Sequence, residues 1–372
     1  MQMNFDTVIV ISSPLSFNPR AQKLVNSLSK KFEVLVLEWD REKCGSTLTF
    51  KRTVLLKSFK IKAPYGHPTL ILYWPLFWLW VIKHIIAVKP KIIHACNLDT
   101  LIPSYLSKLF SRSKLLFDSF DKFSLAFIPP KNKLLHKAVD TLENVLAFHA
   151  DAFITVSKNR LLTYRNFIPK HIAVIMNAPQ DISPFLKRYP LSKSKNHNEF
   201  TIVYTGAISR DRGLLLLKNA IKDIDNVRLV LAGRVVDNTI EKLLPNPKIH
   251  YIGLVPYEKA IELESTGDVI AILYDPAQPI NRVANPNKLF EAMMLGIPVI
   301  TNVCREIVSE TGCGLIVEYD LKSVKETLQY LISHPDVRKK MGNNGRRAFE
   351  EKYNWNVMEE RLLRLYQRLL GN

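Results

Sequence analysis

Four cysteines in 372 residues (Cys44, Cys96, Cys304 and Cys313) give neither the density of a disulfide framework nor the spacing of a metal site. That scarcity points to a reducing compartment. No GxGxxG follows the first strand, so a dinucleotide domain of the NAD(P) kind is not expected there. HExxH, CxxC, Walker A and GxSxG patterns are missing as well, which leaves metalloprotease, P-loop and serine-hydrolase chemistry without support. The apolar run Thr69–Ile82, TLILYWPLFWLWVI, falls short of the roughly 20 residues of a spanning helix, and Pro75 interrupts it. The opening MQMNFDTVIVISS lacks a basic leader and a cleavage site, so no secretion signal is expected. No tandem repeat is evident.

Acidic residues are scarce in one half only. Residues 1–195 hold 29 Lys and Arg against 12 Asp and Glu, a balance of +17, while residues 196–372 hold 23 against 22, a balance of +1. A field of that kind attracts polyanions, anionic lipid headgroups or pyrophosphate-bearing substrates.

What is present describes a globular chain, 47% hydrophobic and 23% charged, long enough for two domains with their own cores. Strands and helices alternate. Phe5–Ser13 reads as a first buried strand, a helix follows near Ala21–Lys31, and FEVLVLEW is a second strand. Further strands are expected at Lys91–Ala95, KLLFDS, DAFITVS and IAVIMN. This alternation predicts an α/β fold with parallel, doubly wound sheets. The polar, basic, aperiodic stretch Pro184–Glu199 reads as a linker. A second α/β unit opens at Phe200 with FTIVYTG and continues through Val227–Arg234, Ile249–Val255, Asp268–Asp275 and strands at Pro298 and Gly314. The expected domains are 1–190 and 191–350, with a C-terminal helix over 351–372.

Polar residues collect where the strands end. Asn18 and Arg20 follow the first strand, facing a crevice or simply starting a helix. Asn97 and Asp99 lie just past Lys91–Ala95. Asp118 and Asp121, at the end of KLLFDS, suit a general base or a hydroxyl-binding pair, or else a cap for the next segment. Lys51, Arg52, Lys57, Lys60 and Lys62 lead into the apolar run. Its Trp74, Phe77, Trp78 and Trp80 beside lysines suit a bilayer interface, with a buried core helix as the alternative.

In the second unit the turn GAISRDRGLLLL sets Gly206 and Gly213 around Arg210 and Arg212. Glycine there lets backbone approach a phosphate, and arginine clamps one bidentately. The stretch Asn285–Ile300, NPNKLFEAMMLGIPVI, reads as a helix between buried strands, capped by Asn285, begun by Pro286 and stopped by Gly296. Leu289, Phe290, Met293 and Met294 share one face, and Lys288, Glu291, Ala292 and Leu295 the other. Following a strand, its start belongs at the carboxyl edge of a parallel sheet, where open α/β folds bind ligands. Unpaired N–H groups there favour phosphate, and Glu291 suits ribose hydroxyls. The alternative is a packing helix with a Lys288–Glu291 surface pair.

With these motifs the chain resembles glycosyltransferase family 4, retaining enzymes of the GT-B fold, in which two Rossmann-like doubly wound domains face each other across a cleft. The family's turn, Gly-Arg-Leu, three residues, Lys-Gly, is here Gly206-Ala207-Ile208, three residues, Arg212-Gly213. Arg212 thus takes the place of the phosphate-binding lysine, and Arg210 stands near the arginine lost at Ala207. Glu291-Ala292-Met293, Gly296, Pro298 and Val299 match the second half of the family's acidic motif, whereas its first glutamate maps to Val283. The resemblance implies a donor set of Gly206, Arg210, Arg212, Gly233, Arg234, Val255, Asn287, Lys288, Leu289 and Glu291. In that set the Asn287 and Lys288 amides hold the diphosphate, Glu291 the ribose, and IGLVP near Val255 the base. The wording PNKLFE is similar to a branch that acts on bacterial or archaeal surface polysaccharides and lipid-linked sugars.

The first half resembles the family more loosely, in SFNPRAQKLVNSL, PKIIHACN, ADAFITVS and IAVIMNAP. FDSFD maps onto the family's YDAHE, so Phe120 replaces the acceptor-side histidine and Asp121 the acid. YNWNVMEERLLRLY is similar to the segment whose helix crosses back to the N-terminal domain. The resemblance implies metal-free, cofactor-free transfer of a sugar, with retention, from a UDP- or GDP-sugar to a hydroxyl. Asn18, Arg20, Asn97 and Asp99 then lie on the acceptor side, and Asp121 or Asp118 takes or orients the acceptor's proton. A basic domain with a tryptophan-rich segment suits a lipid-linked or glycan acceptor, the protein lying peripherally on the anionic cytoplasmic face of the cell membrane. Three rival readings stand beside it: a UDP-sugar epimerase of the same architecture, whose characteristic histidine-rich active-site residues are not apparent here, a nucleic-acid-binding protein, and an inactive membrane-bound scaffold, for which Val283, Ala207 and Phe120 speak. The nucleic-acid reading is weakened because the aromatics sit in one run instead of interleaving with Lys and Arg.

Overall fold

The computed structural model describes residues 5–41, 43, 52–63, 68–129, 131–164, 169–188 and 199–371. Cys44, Lys51 and most of the expected linker lie outside them. The linker's described start is a short helix, Ser183–Arg188. The chain divides into two compact units, Met1–Met176 with Glu359–Asn372, and Asn177–Met358.

The first unit carries, among the described residues, strands β1 (Thr7–Ile11), β2 (Val34–Trp39), β3 (Val54–Phe59), β4 (Ile92–Cys96), β5 (Lys114–Ser119), β6 (Ala152–Thr155) and β7 (His171–Val174). They form one sheet in the order β3-β2-β1-β4-β5-β6-β7, every pair parallel. β1 and β2 are buried along their whole length, as continuous apolar runs require when helices cover both faces of a sheet. β3 escaped the sequence reading because Lys57 breaks its apolar run; it is an edge strand and only partly covered.

The apolar run forms a 3₁₀ turn, Pro68–Leu72, and a helix, Trp74–Val88. Phe77, read as a membrane contact, is fully buried and stacks on Trp39 at 4.9 Å between ring centroids. Trp74, Trp78 and Trp80 are half-buried against the same core; Trp78 Nε1 donates to the Asp99 carbonyl at 2.8 Å, and Trp80 lies 5.5 Å from Phe59. The exposed side chains are aliphatic instead: Ile71, Leu72, Leu76 and Leu79. No helix among the described residues is long and apolar enough to cross a membrane.

The second unit has β8 (Phe200–Thr205), β9 (Val227–Ala232), β10 (Ile249–Tyr251), β11 (Val269–Ile272), β12 (Val299–Thr301) and β13 (Gly314–Ile316), in the parallel order β10-β9-β8-β11-β12-β13. The sequence put domain changes near 190 and 350, but the units divide at 176/177 and 358/359. Hydrogen bonding accounts for the difference. The Trp355 amide donates to the Pro179 carbonyl (2.9 Å), and Arg346 binds Asp181 (2.6 Å) and Ser183 (2.9 Å), all within the second unit. From Glu359 onward the last helix, Trp355–Leu370, bonds into the first: Glu359 accepts from Ser27 Oγ (2.7 Å) and Lys30 (2.6 Å).

Candidate functional site

In the second sheet the strand order reverses between β8 and β11, so loops after these two strands leave in opposite directions and open a crevice at their carboxyl ends. Gly206 follows β8 directly at φ +116°, and Gly233 follows β9 at φ +141°. The positive φ favours glycine at both, and at Gly233 backbone contact also requires it. A Cβ on Gly233 would lie 1.9 Å from the Gly206 carbonyl oxygen, and a Cβ on Gly206 would lie 2.7 Å from Lys288 Nζ. The Lys288 ammonium occupies the space beside Gly206 where a side chain would stand. Lys288 Nζ also stands 4.6 Å from the centre of the Tyr204 ring. Burial opposes the charge on Lys288, but Tyr204, Tyr274, Glu291 and Glu264 outweigh it and hold the ammonium above the usual lysine range.

Arg212 ends a 3₁₀ turn, Arg210–Arg212, and lies over the Tyr274 ring at 4.2 Å. The buried Asn281 aims it: its Oδ1 accepts from Arg212 (3.4 Å), while its Nδ2 donates to Asp211 Oδ2 (3.1 Å) and the Asp275 carbonyl (3.0 Å). The loop after β11 is thereby tied to the loop after β8, and both cations stand near paired tyrosines at the switch point.

The helix expected at Pro286 runs over Asn287–Leu295 and stops at Gly296 in the left-handed region. Asn285 does not cap it. Its side chain is buried and accepts from Cys304 Sγ at 3.6 Å. The amides of Asn287 and Lys288 open the helix, where no preceding turn accepts from them. The two-faced reading fails at Ala292 and Glu291, which are buried together with Leu289, Phe290, Met293 and Met294 because the helix is covered on both sides. Glu291 is therefore no surface partner of Lys288. Its carboxylate takes the Tyr257 hydroxyl, and that hydrogen bond, after burial and the Glu291 charge, raises the tyrosine well above its ordinary range. Glu264, at the end of the helix Tyr257–Glu264, is fully buried nearby and accepts from the Thr205 hydroxyl. Sequence reasoning passed over Glu264. Its one signal is spacing, three residues beyond the buried Ile261 and hence on the same helical face.

The remaining donor candidates are peripheral or act through backbone. Arg210 and Arg234 are exposed; the Arg210 amide donates to Asp237 (2.9 Å), and the Arg234 carbonyl accepts from Ile208 (2.8 Å). Leu289 points into the core, Val255 is half-buried, and Val283 ends a 3₁₀ turn, Pro279–Val283.

In the first unit the acceptor-side candidates have separate tasks. Asn18 caps the helix Pro19–Leu28 by accepting from the Ala21 amide at 3.0 Å. Arg20 does not face solvent: it is buried, bidentate on Asp118 (2.9 and 3.1 Å), and bonded to the Ile175 carbonyl (2.8 Å). Asp118 is fully buried and also lies 3.4 Å from His94 Nε2, so its carboxylate holds the framework. Asn97 Oδ1 accepts from the Phe120 and Asp121 amides (2.9 and 3.2 Å) and shapes the loop after β5. Asp121 stands on that loop with its side chain 48% exposed, paired with Arg160 at 3.0 Å. Asp99 is buried; desolvation raises its carboxyl above the ordinary range against a Ser12 hydrogen bond and the Arg41 charge.

A 186-residue stretch is 29% identical to the capsular polysaccharide biosynthesis glycosyltransferase CapM of Staphylococcus aureus, covering 47% of this chain and 47% of that protein. The chain spans about half the length of the curated relatives it matches. Its fold is that of the sucrose-phosphate synthase of Thermosynechococcus elongatus, with TM-score 0.80 at 15% identity over 98% of this chain and 99% of that one. Anabaena Alr3699/HepE, solved in complex with UDP, follows with TM-score 0.69 at 14% identity over 98% of each chain. These neighbours place the two parallel-sheet units in the GT-B architecture. Residues 188–348, which contain the Gly206 turn, Arg212, Lys288 and Glu291, match the family model of Glycosyl transferases group 1.

Proposed function

We propose that this protein is a retaining, metal-independent glycosyltransferase that moves a sugar from a UDP- or GDP-sugar to a hydroxyl of a lipid-linked or glycan acceptor. One observation carries the reading: the Lys288 ammonium reaches the Gly206 turn from the first turn of the helix Asn287–Leu295, which also carries the opening amides and the buried Glu291 that acts on Lys288, all within the glycosyltransferase-like segment. Cleaving a nucleotide-sugar needs stabilisation of a departing diphosphate, and fixed cations with backbone N–H groups are the strongest way to supply it. Arg212 and Lys288 bring the charge, the Asn287 and Lys288 amides the directed donors, and Glu291 an acceptor for ribose hydroxyls. The complex of HepE with UDP supports a uridine nucleotide as the first donor to try.

On the acceptor side, Asp121 is the half-exposed acid and orients the incoming hydroxyl, while Asp118 stays inside the framework. The acceptor is lipid-linked or part of a surface glycan, and the protein works peripherally on the cytoplasmic membrane face. The exposed Ile71, Leu72, Leu76 and Leu79 beside a half with a charge balance of +17 support this placement. Thermal shift against UDP-, GDP-, ADP- and CMP-sugars tests the donor reading. At least one is expected to stabilise the wild type and to lose that effect in Glu291→Ala. If none does, the transferase reading fails.

A further inference from the structure

The wall behind the Gly206 turn holds more carboxyl groups than a diphosphate site should tolerate. Glu264 and Glu291 are both buried, on helices that pack against each other, and Lys288 is the ammonium near them. Arg212 acts further round the turn, so an anionic ligand arriving beside two buried carboxylates meets repulsion that Lys288, the cation acting on Glu264, only partly offsets. Neutralising one acid removes the conflict. Glu264 has the environment for it: it is fully enclosed, where a lone charge is costly, and it feels the negative charge of Glu291.

Its two oxygens differ. Oε1 accepts from the hydroxyl of Thr205, the residue directly before Gly206. Oε2 is buried and has no hydrogen-bond partner among the described residues. A protonated Oε2 is a hydrogen-bond donor, which no ionised carboxylate offers. Thr205 fixes the orientation of that donor from the strand, and the helix end fixes it from the other side.

Resting on the donor-site reading above, we infer that Glu264 is a positioning residue of that site, a neutral acid that braces the Gly206 turn through Thr205 and adds no second charge beside Glu291. Its contribution is a hydrogen-bonding shape without charge. Gln reproduces that shape, and Leu fills the same space without hydrogen bonds.

Calorimetric titration with UDP and GDP separates the possibilities, with melting temperature recorded for every variant. The wild type is expected to bind one nucleotide. Glu264→Gln should stay within about twofold of it, and Glu264→Leu should bind about tenfold more weakly at an unchanged or higher melting temperature. Should Glu264→Leu fail to fold, Thr205→Val serves in its place, with a several-fold loss expected because Oε1 loses its donor. Three results overturn the inference: Glu264→Gln losing as much affinity as Glu264→Leu, Glu264→Leu binding like the wild type, or Thr205→Val binding like the wild type in the substitute experiment. A wild type that binds neither nucleotide overturns the donor-site reading itself.

Discussion

Replacing Asp118 by Asn separates framework from chemistry in the first unit. The Asp118 side chain has no exposure, and Arg20, 6% exposed, bonds it through two contacts of 2.9 and 3.1 Å. Arg20 is fixed further by the Ile175 carbonyl and by the Phe120 ring, 4.9 Å from its guanidinium carbon, so it cannot swing out to water. Removing one member of a buried pair leaves the other charge uncompensated, at a cost of about 3–5 kcal/mol. For a unit of this size each kcal/mol lowers the melting temperature by roughly 2–4 °C, so Asp118→Asn is expected to melt about 6–20 °C lower. Asp121→Asn removes an acid that is 48% exposed and solvated on its own, and the buried Arg160 keeps its bond to the Phe120 carbonyl (3.3 Å), so the loss is about 1 kcal/mol and the variant should melt within a few degrees of the wild type while losing turnover. Scanning calorimetry on both variants, with glycosyl transfer measured below either transition, gives the comparison. If Asp118→Asn melts within about 2 °C of the wild type yet is inactive, Asp118 takes part in the reaction and the framework assignment is wrong.

Two further outcomes follow from burial. Leu72, at the end of the 3₁₀ turn, and Leu76 and Leu79, on the helix after it, are 71%, 50% and 65% exposed, so exchanging all three for Gln removes roughly 1 kcal/mol of insertion each and should weaken cosedimentation with anionic vesicles about a hundredfold; unchanged sedimentation excludes these leucines as the contact. By contrast, Ser at Trp74, Trp78 and Trp80 should lower the melting temperature, because those rings pack on the core. Glu264 also sets a pH dependence. Its carboxyl is pushed well above the ordinary range by burial and by Glu291, so the folded state keeps a proton that the unfolded chain has already released. Stability from this group is complete below the unfolded value and falls as pH rises toward the folded one. The melting temperature of Glu264→Gln should therefore gain on the wild type from pH 5 upward, and a constant difference across that range refutes a neutral Glu264.

The strands were legible because parallel sheets covered on both sides demand continuous apolar runs, and TVIVI and VLVLEW carry them. The glycine turn and the Asn287–Leu295 helix were legible for a different reason, since only a few residue types fit a left-handed stop or a crowded backbone. Partners across elements were not legible. A helical wheel placed Ala292 outward because it describes one helix, whereas a second layer covers that face. Tryptophan beside lysine suggested a wet interface, but Phe77 and its neighbours close the first core, and the exposed side chains are the aliphatic ones before and between them. Asp118 and Asp121 show the limit most clearly. Three residues apart at one strand end, they look interchangeable, yet one lies inside β5 and the other beyond it. Arg20, nearly a hundred positions away in sequence, is what separates them: it engages the first acid within the core, while the second stays half-exposed on the loop beside Arg160.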